Sequence, residues 1–60
     1  MRIGDKVIVI SRGWTGIIVT EPEMLLGEKQ VGIKFDNPEY NKLFNPYYFP
    51  ITILEKYNNL

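Results

Sequence analysis

Lys29-Gln30-Val31-Gly32-Ile33-Lys34-Phe35 is the stretch that decides the fold class. On an extended chain Val31, Ile33 and Phe35 point to one side, and Gln30, Gly32 and Lys34 point to the other. A helix would need apolar residues three and four apart, so the strict period of two reads as a strand with one face in a core. Upstream, Lys6 to Ile10 is β-branched throughout after Lys6, and Ile17 to Thr20 is a second β-branched run. Downstream, Tyr47-Tyr48-Phe49 is a short aromatic strand bracketed by Pro46 and Pro50, and Leu54 to Tyr57 is a last short strand before an Asn58-Asn59-Leu60 tail.

The segments between these runs carry turn chemistry. Ser11-Arg12-Gly13-Trp14-Thr15-Gly16 holds two glycines able to take a positive φ, which places a turn here with Trp14 at its tip. Pro22 to Gly27 reads as a long loop containing Met24-Leu25-Leu26, expected to plug an open barrel end or to stand out as a partner-binding knob. Asp36-Asn37-Pro38 opens a turn, Glu39 to Asn45 a polar loop, and Ile51 to Leu54 a tight turn.

Five short strands in 60 residues are too few for two full sheets, so the expectation is a single all-β domain spanning 1–60, a small five-stranded antiparallel barrel. Its expected core is Val7, Val9, Ile18, Val31, Ile33, Phe35 and Leu54. No apolar run approaches the length of a membrane-spanning helix, and the opening residues do not form a signal peptide. The expected location is cytoplasmic, with no membrane partner.

Composition removes whole classes of chemistry. The chain has no Cys and no His, which excludes disulfides, thiolate or imidazole metal sites and the usual nucleophile–base pairs. Asp5, Glu21, Glu23, Glu28, Asp36, Glu39 and Glu55 are scattered without a spacing that pairs two of them, and Ser11, the only serine, has no basic partner. The expectation is a non-enzyme with no cofactor, no metal and no small-molecule substrate. Lys plus Arg balances Asp plus Glu at seven each, so no large net field steers the protein toward a polyanion.

From Ile3 to Val19 the order Gly4-Asp5-Lys6-Val7, apolar strand, Gly13, Gly16, apolar strand resembles the KOW-type SH3-like barrels of ribosomal proteins and transcription elongation factors. In that family the glycine matched by Gly16 sits where a side chain would meet the first strand. The later segments, Val31 to Asp36 and Tyr48-Phe49-Pro50 with Leu54-Glu55, are similar to small SH3-like proteins of bacterial and phage genomes. The resemblance implies an SH3-like barrel and, through its KOW-like half, nucleic-acid binding. The sequence departs from the KOW pattern in a short first loop whose only basic residue is Arg12, and in lacking the basic residues typical of ribosomal members.

The functional expectation is therefore a binding module. A protein or peptide partner is expected to meet the loop aromatics Trp14, Tyr40, Phe44 and Tyr48 where the Ser11 to Gly16 turn meets the Asn37 to Tyr48 segment. If Tyr47 and Phe49 face the core, alternation leaves Tyr48 outside. The alternatives are RNA or DNA binding, with Arg2, Arg12, Lys34 and Lys42 as a basic patch beside stacking rings, and a structural subunit of a larger assembly.

Overall fold

The computed structural model describes residues 1–57. Its elements in chain order are β1 (Lys6–Val9), β2 (Trp14–Ile18), β3 (Glu23–Leu25), β4 (Glu28–Phe35), a 3-10 helix at Pro38–Asn41, β5 (Tyr47–Pro50), a second 3-10 turn at Ile51–Ile53, and β6 (Leu54–Lys56). All strand pairs are antiparallel, and no α-helix occurs among the described residues. The expected tail at 58–60 lies outside the described residues.

The sheet runs β6-β1-β2-β4-β5, with β3 lying beyond β2 on the same edge of β4. Three residues, Ile51–Ile53, join the two outermost strands. Laid flat, those strands would stand about 19 Å apart at the ~4.8 Å strand spacing, beyond the reach of so short a link. The sheet therefore curls into a half-barrel, an architecture compatible with an SH3-like fold.

The core expected from alternation is the one found. Val7, Val9, Ile18, Val31, Ile33, Phe35 and Leu54 are all buried, joined by Phe49. The other face of β4 is less open than alternation implies. Lys34 is exposed, but Gly32 and Gln30 are buried, because Thr20 and Pro46 cover Gly32 and the Gln30 amide turns to donate to the Leu25 carbonyl at 3.0 Å.

Three expectations are corrected. First, Met24-Leu25-Leu26 is not a loop plugging the barrel. Glu23–Leu25 forms a sixth strand, turning into β4 through Leu26 and Gly27, both at positive φ as a type I′ hairpin requires. Leu26 at the tip is 97% exposed. Second, Trp14 is not at a turn tip. The turn is Ile10–Gly13, closed by Gly13 donating to the Val9 carbonyl, and Trp14 pairs with Val9 as the first residue of β2. Gly13 alone takes the left-handed conformation there, at φ 73°. Third, Gly16 is a strand residue whose missing side chain faces β4 rather than β1. A Cβ on it would lie 2.6 Å from the Lys34 carbonyl oxygen, 2.8 Å from Ile33 Cγ2 and 2.9 Å from Phe35 Cα.

Where β2 passes into β3 the strand bends. Four residues, Val19–Pro22, stand against two on β4, Val31 and Gly32. Val19 still donates to the Gly32 carbonyl, but the Gly32 N–H is taken by the Thr20 hydroxyl at 2.8 Å instead of a backbone acceptor. This bulge turns the hairpin away from the barrel without leaving a buried donor unpaired.

The amino-terminal segment is tied down around Asp5. Gly4 N–H donates to the Ile18 carbonyl, Ile18 N–H donates to the Asp5 carbonyl, and the Arg2 N–H donates to the Asp5 carboxylate at 3.1 Å. That last bond, with the Lys56 ammonium 3.7 Å away, holds the Asp5 carboxyl below the usual aspartate value. A depressed folded-state pKa gives stability that is present above the unfolded value and is lost as pH falls through the folded one. Titrating Asp5 by NMR should give a midpoint below the usual aspartate value, and Asp5→Asn should flatten the acid limb of the stability curve. An Asp5 midpoint at or above the usual aspartate value would contradict the contact.

Candidate functional site

The aromatic residues converge at one end of the half-barrel, and the convergence follows from strand parity. Trp14, Gly16 and Ile18 share the inward parity of β2, so Trp14 lies over the barrel end where β1 turns. Phe35 sits opposite Gly16, and Tyr47 and Phe49 sit opposite Ile33 and Val31. Phe35 is the hub. Its ring meets Trp14 at 5.3 Å, Tyr40 at 6.1 Å, Tyr47 at 6.0 Å and Phe49 at 5.7 Å, all edge to face. Edge-to-face contact sets the positive ring edge against the negative face and is favourable beyond area burial.

Tyr40 reaches this cluster from the 3-10 helix. Pro38 opens that helix with a preset φ, and the Asn37 side chain caps it by accepting the Glu39 N–H at 3.0 Å. The Asn41 amide then locks it to β4, accepting from the Phe35 N–H and donating to the Phe35 carbonyl, each at 3.0 Å. Tyr40 is thereby laid flat on Trp14, with ring centres 4.0 Å apart and planes 12° from parallel.

The Arg12 guanidinium stands 4.7 Å from the Trp14 ring centre and 5.9 Å from that of Phe49. A nearly parallel ring at 4.0 Å fills one face of the indole, so Arg12 takes the other. Trp14, half-buried, thus has both faces covered by its own chain, and its edge meets Phe35 and Tyr47. It organises the site rather than presenting a bare ring.

The free aromatic surface lies further along. Tyr47, stacked on Phe49 at 4.7 Å, contacts Phe44 at 5.0 Å, and Phe44 is 56% exposed. Phe44, Pro46, Tyr47 and Tyr48 line an open cleft of about 240 Å³. Backbone polarity argues that a ligand here meets side chains rather than adding a strand. The Gly32 N–H and C=O both face the β2 side of β4, so Tyr48, opposite Gly32, turns its own pair toward the free edge of β5. Pro50, two residues on, has no N–H to offer there, which blunts the edge.

Of the residues singled out in the sequence, Trp14 and Tyr40 are joined by their stack and Arg12 joins them. Phe44 reaches them only through Tyr47, which was not among the residues singled out for binding. Tyr48 forms no ring pair with them among the described residues and shares only the cleft with Phe44. Lys42 is held by Glu39 at 3.0 Å on the exposed surface of the 3-10 helix. Arg2 lies by the opposite end of β2, and Lys34 projects from the outward face of β4, so the expected basic patch does not assemble around Arg12. Among the described residues no group of three Asp or Glu side chains is arranged to hold a metal ion. No helix among the described residues is long and apolar enough to cross a membrane.

No protein-family model, curated protein or solved structure matches this chain. The sandwiched geometry of Trp14 generates a stability prediction. Trp14→Ala should cost about 2–4 kcal/mol, since it removes the stack, the cover for Phe35 and the seat of Arg12 together. Chemical denaturation measures it, and a loss under about 0.5 kcal/mol, typical of a free surface residue, would contradict the sandwich.

Proposed function

We propose that this protein is a non-catalytic binding module, an SH3-like barrel whose aromatic end takes an extended peptide segment of a partner protein. The observation that carries the reading is the cleft of Phe44, Pro46, Tyr47 and Tyr48, built on the rigid Phe35 cluster. Aromatic walls with a proline between them suit the flat, preformed surface of a proline-containing peptide, whose low flexibility reduces the entropy lost on binding. The blunted β5 edge supports side-chain recognition over strand addition. The strand order and the three-residue closure support the SH3-like assignment. Nucleic-acid binding is less well supported, because the cations are dispersed over different faces and ends.

The test is a titration of the whole chain with a proline-rich decapeptide, followed by the emission of Trp14, the only tryptophan, and by amide chemical shifts. Saturable shifts centred on Phe44, Tyr47 and Tyr48 are expected. Phe44→Ala should weaken binding about tenfold or more while leaving the melting temperature nearly unchanged, because the ring is mostly exposed. Shifts confined to the outward face of β1 and β2, or an affinity indifferent to Phe44→Ala, would overturn the reading.

A further inference from the structure

We infer that the aromatic end selects a peptide carrying a carboxylate within three or four residues of the proline or other apolar side chain seated in the cleft, with Arg12 as the group that meets it. The inference rests on the peptide-binding reading and adds the charge of the partner. Three observations carry it.

The first is that Arg12 has no anionic partner among the described residues. Among the described residues the ion pairs use Lys6, Lys42 and Lys56, and the Arg12 side chain forms no hydrogen bond. The second is that its guanidinium is nevertheless held in place, packed over Trp14 at 4.7 Å and near Phe49 at 5.9 Å. A guanidinium seated on ring faces keeps N–H groups free to donate to a carboxylate in a bidentate pair. Ordering the side chain in advance removes part of the entropy cost of binding.

The third is position. From the guanidinium to the Trp14 ring is 4.7 Å, and from Trp14 to Tyr47, the inner wall of the cleft, is 6.3 Å. Two such steps put the guanidinium no more than about 11 Å from the Tyr47 ring, within the reach of three to four extended residues at ~3.3 Å each. A peptide with its apolar residue between Phe44 and Tyr47 can therefore bring a residue no more than three or four positions away to Arg12. The neighbourhood favours a single carboxylate over a polyanion, since Lys42 is engaged by Glu39 and Lys34 and Arg2 lie elsewhere.

The experiment compares twin hexapeptides by fluorescence anisotropy on the whole chain. Each twin holds a proline pair with aspartate or asparagine three residues away, and both chain directions are made. In one direction the aspartate peptide should bind about tenfold or more tighter than its asparagine twin at low salt, the scale of one charge-assisted hydrogen-bonded pair, and the gap should narrow as salt rises. Arg12→Gln should lower the aspartate peptide to the affinity of its twin, and Arg12→Lys should keep part of the preference. Twins that bind equally, a preference that survives Arg12→Gln, or an equal loss for both twins in that variant would each overturn the inference while leaving the peptide-binding reading standing. If neither twin binds in either direction, both fail. If a ten-nucleotide oligothymidylate binds more tightly than either twin with a steep salt dependence, Arg12 belongs to a phosphate and the inference is overturned.

Discussion

The approach of β2 to β4 at Gly16 is the constraint on which the rest of the molecule depends. With no side chain at that position, the Lys34 carbonyl and the Phe35 Cα occupy space that a Cβ would need. That closeness lets a sheet with a three-residue link between its outer strands curl tightly enough to close. It also places Phe35 directly across from Gly16, where its ring becomes the hub for Trp14, Tyr40, Tyr47 and Phe49. Curl and aromatic cluster thus share one cause. Gly32 plays the complementary part on the outward face, where Thr20 Cγ2 and Pro46 Cβ lie 2.8 and 2.9 Å from the position of its missing Cβ. Pro46 is thereby set beside Tyr47 and Tyr48 as a wall of the cleft.

Much of this was legible in the sequence because a period of two is read without knowing the fold. Every residue placed in the core by alternation is buried, and the parity argument for Tyr47-Tyr48-Phe49 sends Phe49 inward and Tyr48 to the other face. The convergence of Trp14 with Tyr40 was also within reach, since a turn and a later loop had to share one barrel end. What escaped depends on contacts distant in the chain. Two glycines flanking Trp14 look like one long turn, but the pairing of Trp14 with Val9 puts the second in a strand, and its close approach is to β4 instead of the first strand that the resemblance implied. Glu23–Leu25 is too short to show alternation, and its closing turn puts Leu26 where asparagine or glycine is usual. The burial of Gln30 and Gly32 follows from a bulge and a proline contact that no local pattern encodes.

The site uses its largest side chain as a support. A lone tryptophan near a loop invites a reading as the contact residue, yet here Arg12 and Tyr40 cover its two faces. In so small a domain the core cannot fill the barrel end with aliphatic residues alone, and a half-buried aromatic stack completes it. The surface left open is the continuation of that stack through Tyr47 to Phe44, with a positioned cation at the other side of the indole. Rigidity of the support and openness of the cleft are thus divided between different rings.

The most direct measurement of this account is the effect of a single methyl group at Gly16. A 60-residue domain has a stability on the order of 3–9 kcal/mol, and forcing a Cβ against backbone atoms of β4 should cost about 3 kcal/mol or more. Gly16→Ala should therefore lower the melting temperature by about 10 °C or more and weaken the near-UV circular dichroism of the aromatic cluster, as Phe35 is pushed from Trp14. A Gly16→Ala protein that melts within a degree or two of the parent, with its near-UV spectrum unchanged, would contradict the claim that this close approach sets both the curl and the site.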